Sequence, residues 1–154
     1  MKKLIFIFLI LILSSCGFKV VERSSFDDFS ISNIITEGDK RINFNLKNKL
    51  SFASNENEKN LIQITLNTVK NKNVKERNIK NEITKYSIKI AVKVTCTEIS
   101  NGSEFKFSKS ESGDYIVSNQ YSQTLGNEKK LVEILTNNLA DQILEELKTK
   151  LNAL

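Results

Sequence analysis

The residues whose chemistry could support catalysis are two cysteines and two pairs of adjacent carboxylates: Cys16, Cys96, Asp27-Asp28 and Glu145-Glu146. The chain of 154 residues contains no histidine, so neither a Ser-His-Asp triad nor a Cys-His pair can be assembled. Asp27 and Asp28 precede a predicted strand, and adjacent strand residues point to opposite faces, so these two carboxylates cannot share a substrate. The five glycines never form a phosphate-binding loop. We therefore expect no catalytic site, no metal site and no enzymatic activity.

Cys16 follows a segment with the three-part layout of a bacterial secretory signal. Lys2 and Lys3 precede an unbroken apolar run over residues 4–13, and two serines lead to the cysteine. A membrane-spanning helix needs about 20 apolar residues, so this run is too short for one. The Leu13-Ser14-Ser15-Cys16 sequence resembles a lipobox, the site at which bacterial lipoproteins are lipidated and cleaved. An ordinary signal with a chance cysteine is the alternative.

The lipobox resemblance implies that residues 1–15 are a removed signal peptide and that Cys16 is the first mature residue. In this class a diacylglycerol is attached to the cysteine through a thioether, and an N-acyl chain such as palmitate is added. No other cofactor is expected. Gly17, rather than an aspartate, follows the cysteine, which resembles sorting to the outer membrane. Residues 16–28 are then a lipidated cysteine and tether, and residues 29–154 a single domain.

The charge of the chain is mildly basic. The formal net charge is +5, and loss of Lys2 and Lys3 with the signal leaves +3. This excess is too small to indicate a nucleic-acid partner, although an anionic membrane surface is compatible with it. If Cys16 carries lipid, Cys96 has no partner for a disulfide. Cys96 falls on the apolar face of a predicted strand, which favours core packing over a redox or nucleophilic role.

Alternation of apolar and polar residues predicts four strands, over residues 29–35, 61–69, 84–99 and 104–117. Asn101-Gly102 lies between the last two and is typical of a β-hairpin turn. A break in the final strand is expected near Gly113. Residues 70–81 are rich in lysine and asparagine, and we predict that they form a long, mobile loop.

Two amphipathic helices complete the prediction. Ile42, Leu46 and Leu50 are spaced by four, with Asp39 as a candidate N-cap and an end near Phe52. A second stripe with the same spacing predicts a helix over residues 127–151. The fold class is therefore α+β, with two helices packed on one side of a four-stranded mixed β-sheet in the order β-α-β-β-β-α.

Basic residues are concentrated in and after the predicted loop: Lys70, Lys72, Lys75, Arg77, Lys80 and Lys85. Lys89 and Lys93 continue along the polar face of the following strand. Together these residues could form a basic patch for an anionic ligand. An ordinary solvated surface explains them equally well.

Three stretches resemble the LptE family, the lipopolysaccharide-assembly lipoproteins of the outer membrane. The first is the mature start Cys16-Gly17-Phe18-Lys19, and the second is the segment 81–90, a long central strand entered through Tyr86. The third lies in the final helix and includes Ala140-Asp141-Gln142. The resemblance covers essentially the whole mature chain, so residues 29–154 are interpreted as an LptE-like domain.

The resemblance implies a non-enzymatic subunit of the lipopolysaccharide translocon, lipid-anchored on the periplasmic side of the outer membrane. Such a subunit plugs the LptD β-barrel, assists its assembly and binds lipopolysaccharide (LPS). The family's proposed LPS contacts are basic residues before the central strand and just before the last helix. The candidates at the first place are Arg77, Lys80 and Lys85. The approach to the last helix departs from the family pattern, because Thr124-Leu125-Gly126 occupies it, and the nearest basic residues are Lys129 and Lys130 inside the helix. Lys89 and Lys93 join them as candidates from the predicted basic patch.

Two other functions use the same anchor. A lipoprotein of this size could activate or pilot another envelope machine, such as a peptidoglycan synthase or a secretin. A lipoprotein hydrolase is the third possibility, and the missing histidine argues against it.

Overall fold

The computed structural model describes residues 29–53 and 61–151, which form one mixed sheet and two helices. The elements are β1 (Ser30–Gly38), α1 (Lys40–Ala53), β2 (Leu61–Arg77), β3 (Ile83–Glu98), β4 (Glu104–Ile116) and α2 (Tyr121–Leu151). The strand order is β1-β2-β3-β4, with β1 parallel to β2 and the other two pairs antiparallel. The predicted fold class and element order are confirmed. The proposed signal peptide, lipidated Cys16 and tether lie outside the described residues and stay predictions.

The hydrophobic core lies between one face of the sheet and the two helices. Its fully buried members include Leu66, Ile90 and Val92 of the central strands, Leu46 of α1 and Leu139 of α2. The spacing of four along each helix places such residues on one stripe, and that stripe packs on the alternating apolar residues of β2 and β3. Both helices therefore cover the same side of the sheet.

Cys96 is buried in this core, at the position predicted from its strand face. Burial raises the pKa of the Cys96 thiol to about 12, so the nucleophilic thiolate is not populated at neutral pH. The side chain packs as a small hydrophobic group.

The prediction of a loop over residues 70–81 is wrong, because β2 continues through Arg77. The extension pairs with β3, from Lys70 opposite Ile90 to Arg77 opposite Ile83. Backbone hydrogen bonds in this ladder do not require apolar side chains, and the segment contains no proline or glycine to interrupt them. Only a tight turn remains of the loop, closed by a hydrogen bond from the Asn78 amide to the Glu82 carbonyl at 2.9 Å.

The final strand and helix also differ from their predicted bounds. β4 runs through Gly113 without the expected break. A Cβ atom at Gly113 would lie 2.7 Å from Cδ1 of Leu131, so this glycine provides room for α2. The helix itself begins at Tyr121, six residues before the predicted start at Asn127. Its first turn is held by the Thr124 hydroxyl, which accepts a hydrogen bond from the Ser118 amide at 2.9 Å.

Candidate functional site

The sheet face opposite the helices is polar, and no element within the described ranges packs on it. The register places its side chains in cross-strand rows: Asn67–Lys93–Ser108, Asn71–Lys89–Ser112 and Asn73–Ser87–Asp114. We call this surface the open face. Lys89 and Lys93 are exposed on it, roughly 13 Å apart along β3. Neither ammonium group has an ion-pair partner in the described part of the chain, so both are available to an anionic or polar partner.

The far end of the open face is neutralised by ion pairs. Lys85 lies 3.0 Å from the Glu76 carboxylate, and Lys75 donates a hydrogen bond to Asp114. That hydrogen bond lowers the pKa of Asp114 and raises the pKa of Lys75. Among the basic residues of this face, Lys89 and Lys93 are thus free, while Lys85 is paired.

The β2–β3 hairpin ends in a tip with two cations and one exposed apolar side chain. The Arg77 guanidinium donates to the Asn81 carbonyl oxygen at 2.8 Å, and the Lys80 amide donates to Asn78 Oδ1 at 3.0 Å. Ile79 lies between them and is fully exposed. The tip stands about 50 Å from the start of β2, the length of a 17-residue strand. The sequence interpretation missed Ile79 because it fell within the predicted loop.

Lys129 and Lys130 lie on α2 and face in different directions. Lys129 lines a groove of about 460 Å³ between the two helices, together with Arg41 and Phe52. Lys130 lines a shallower depression beside Ile116 at the edge of β4. The seven candidate LPS-binding residues are therefore distributed over the open face, the hairpin tip and two sides of α2, and the fold does not bring them into one site.

Lys72 has a structural role on the helix side of the sheet. Its Nζ lies 2.7 Å from Oε2 of Glu128 and 4.3 Å from the ring centroid of Tyr86. The Tyr115 hydroxyl donates to the same Glu128 oxygen at 2.9 Å, and the two tyrosine rings stack with centroids 5.6 Å apart. This cluster joins β2, β3 and β4 to α2. Lys72 is consequently occupied and does not contribute to a basic patch.

The charges of this cluster stabilise each other. Partial burial favours the neutral form of each group, but the hydrogen bonds with Glu128 and Tyr115 outweigh it and raise the pKa of Lys72. For Glu128, burial also opposes ionisation, and the hydrogen bonds from Lys72 and Tyr115 still lower its pKa.

Replacement of Glu128 by Gln is expected to lower the free energy of unfolding by about 1 kcal/mol at pH 7, because it removes a solvent-screened ion pair. The folded-state pKa of Glu128 lies below its unfolded value, so its contribution is present above about pH 4.3. It is lost as the pH falls through the folded value. Urea unfolding should therefore show a larger difference between Glu128→Gln and the unchanged protein at pH 7 than at pH 3.

Glu133→Gln is the matched control, since Glu133 is exposed on the same helix and has no ion-pair partner among the described residues. It should leave the unfolding curve unchanged at both pH values. An equal loss for Glu128→Gln at pH 7 and pH 3 would contradict the electrostatic account.

Two general features bear on the kind of site. Within residues 29–53 and 61–151, no three histidine, cysteine or acidic side chains are close enough to hold a metal ion. Neither α1 nor α2 is long and apolar enough to cross a bilayer.

Three solved structures with a similar fold are described as bacterial lipoproteins. A protein described as a lipoprotein from Caulobacter crescentus superposes with a TM-score of 0.57 at 16% identity, covering 85% of this chain and 95% of that chain. The rare lipoprotein B from Shewanella oneidensis gives a TM-score of 0.58 at 12% identity, with 79% and 98% covered. Lipoprotein B from Nitrosomonas europaea gives 0.55 at 13% identity, with 81% and 86% covered. At these identities the likeness establishes a shared fold. No protein-family model and no curated protein sequence matches the chain.

Proposed function

We propose that this protein is an outer-membrane lipoprotein subunit of the lipopolysaccharide translocon, anchored through lipid on Cys16 and facing the periplasm. It plugs an LptD-like β-barrel, helps it assemble and contacts LPS during insertion into the outer leaflet. It has no enzymatic activity and no cofactor beyond its lipid. The observation that carries the proposal is the fold: the motifs that resemble the LptE family fall on β3 and α2 of an architecture shared with three lipoproteins.

The open face supports the barrel partnership. The interior of a large outer-membrane barrel is polar and water-filled, so a surface that enters it must remain hydrated. The open face offers asparagine, serine and lysine side chains, while both helices bury the apolar side of the sheet. The sheet is about 50 Å long, and a bilayer with its headgroups is about 40–45 Å thick. One end can therefore stay at the anchor while the hairpin tip reaches deep into the barrel.

The hairpin tip supports contact with LPS. This glycolipid carries phosphates and acyl chains, so its recognition calls for cations beside an apolar group. Arg77 and Lys80 supply the cations and Ile79 the apolar surface. Attraction between exposed charges is screened by salt, so such a contact weakens as ionic strength rises.

Co-isolation tests the proposed partnership. The tagged protein, purified from detergent-solubilised outer membranes, should bring down an LptD-like barrel in equal amount, identified by mass. Recovery of a peptidoglycan synthase or a secretin without a barrel would overturn the translocon role and favour an activator or pilot. A Cys16→Ala variant serves as a control for the anchor, because it should remain an uncleaved, unlipidated precursor.

Charge reversal locates the LPS contact. Lys80→Glu combined with Ile79→Ser should weaken binding of purified LPS roughly tenfold at low salt, because it removes a cation and introduces an anion. The difference should shrink at high ionic strength. Lys129→Glu/Lys130→Glu tests the second candidate place in the same assay. Lys148→Glu, at an exposed position in the last turn of α2, is the control and should bind normally. If the tip variant bound LPS normally, the hairpin tip would have no role in LPS binding.

A further inference from the structure

We infer that the outward surface of α1 docks on an anionic phospholipid leaflet and so orients the anchored domain on the membrane. The inference goes beyond the proposed function, rests on its lipid anchor at Cys16 and requires no barrel partner. It commits to one occupant, a membrane leaflet that contains anionic lipids. The argument rests on the charge of α1, its exposed aromatic side chains and its position in the fold.

The charge of α1 is uniformly positive. Its 14 residues include Lys40, Arg41, Lys47 and Lys49 and no acidic residue. Of these four cations, Lys49 is paired with Asp141 at 3.4 Å, and the other three have no ion-pair partner within the described residues. Lys129 of α2 adds a further cation across the groove, and Glu133 is the one acidic residue among the described ones that line it. A surface with this excess of unpaired cations is complementary to anionic headgroups.

The same surface exposes two aromatic rings. Phe44 is 66% exposed and Phe52 is 80% exposed, whereas Ile42, Leu46 and Leu50 on the other side of the helix are buried in the core. The two phenylalanines are eight residues apart, so they project within about 80° of each other around the helix. α1 is thus apolar on two sides, and only one is covered by the sheet. A basic helix with exposed aromatic side chains is typical of an element that lies in the membrane interface.

The position of α1 places the ring of Phe52 at the anchored end of the domain. Ser30 pairs with Leu61 at the start of β2, and α1 runs back from the other end of β1 toward that same start. Phe52 therefore lies at the end where the described domain begins, at Phe29. Twelve residues separate Phe29 from Cys16, a span of at most about 47 Å. The hairpin tip, with Ile79, lies at the opposite end.

A tryptophan probe tests the contact directly, because the chain contains no tryptophan of its own. Phe52→Trp changes an exposed side chain and should leave the fold intact. The full chain is reconstituted into vesicles of phosphatidylcholine alone or mixed with phosphatidylglycerol. We expect the emission of the introduced indole to shift to shorter wavelength, and to be quenched by brominated lipid, only in the anionic vesicles. Ile116→Trp, at the exposed end of β4 and away from α1, is the matched probe and should behave identically in both.

Removal of charge identifies the cause of the contact. The double variant Lys40→Gln/Lys47→Gln is made in the Phe52→Trp background. Each removed cation should lower the equilibrium constant for docking by about fivefold. Lys75→Gln/Lys106→Gln removes the same charge from the open face and should have no effect. High salt should release the helix.

Indole emission from the Phe52→Trp protein that is the same in both kinds of vesicle would overturn the inference. An equal loss of docking in the Lys40→Gln/Lys47→Gln and Lys75→Gln/Lys106→Gln variants would overturn it as well. The vesicles contain no barrel protein, so this failure would leave the co-isolation of a barrel unaffected. Absence of a barrel partner would, in turn, leave the vesicle result standing.

Discussion

Replacement of Leu139 by Asp is expected to unfold the domain. Leu139 lies in the middle of α2, is fully buried and belongs to the core that α2 forms with the sheet. A carboxylate at this position loses its hydration and gains no partner, and the apolar contacts of leucine are lost at the same time. We expect a loss above roughly 4 kcal/mol, against a total stability of about 5–15 kcal/mol for a domain of this size. Loss of the thermal transition in circular dichroism at pH 7 is the measurement.

Asn138→Asp is the matched control for this prediction. It introduces the same side chain one position earlier, where the residue is exposed. Its melting curve should be nearly unchanged, because the added charge stays in water. If Leu139→Asp melted at the temperature of the unchanged protein, the packing of α2 on the sheet would be wrong.

The core could be predicted from the sequence because its periodicity is a direct consequence of burial. Large apolar residues such as Ile88, Ile90 and Val92 recur at every second position when one sheet face is covered, and a leucine or isoleucine at every fourth position indicates the helix that covers it. Core side chains therefore predicted both the elements and their order. Where both faces of a strand are exposed to solvent, this alternation of apolar and polar residues is absent.

The extension of β2 shows that limit. From Lys70 onward the side chains are polar on both faces except for Val74, so composition favoured a loop, whereas pairing of the backbone with β3 determines the structure. One feature of the sequence nevertheless indicated that the strand continues. Lys70 and Lys72 continue the two-residue period of Leu66 and Thr68, which points them to the helix side.

The candidate site was only partly predictable for the same reason. Strand parity correctly placed Lys89 and Lys93 on the polar face. The ion pair of Lys72 depends on Glu128, which is distant in sequence, and no local pattern indicates it. The ion pair of Lys85 with Glu76 depends on the β2–β3 hairpin, which the predicted loop concealed. The exposure of Ile79 likewise depends on the long hairpin that carries it.

Substitution of Gly38 is the second change that we expect to lower the free energy of unfolding strongly. It ends β1 with φ at +94°, a conformation that L side chains rarely adopt, and it lies opposite Thr68 in the parallel pair. A Cβ atom here would be 1.9 Å from the Thr68 carbonyl oxygen. That oxygen also accepts a hydrogen bond from the Asp39 amide at 3.3 Å, immediately before the helix that Asp39 caps. An added methyl group must therefore displace either β2 or the start of α1.

Gly38→Ala is expected to lower the free energy of unfolding by roughly 3 kcal/mol, since backbone strain and the steric clash add together. Gly102→Ala separates the two causes. Gly102 also has positive φ, at +73°, but no atom lies within 4 Å of its Cβ position, so only the strain of roughly 1 kcal/mol applies. Urea unfolding of both variants measures the difference. Equal losses would mean that β1 moves freely away from Thr68, and the parallel β1–β2 pair would then not fix the start of α1.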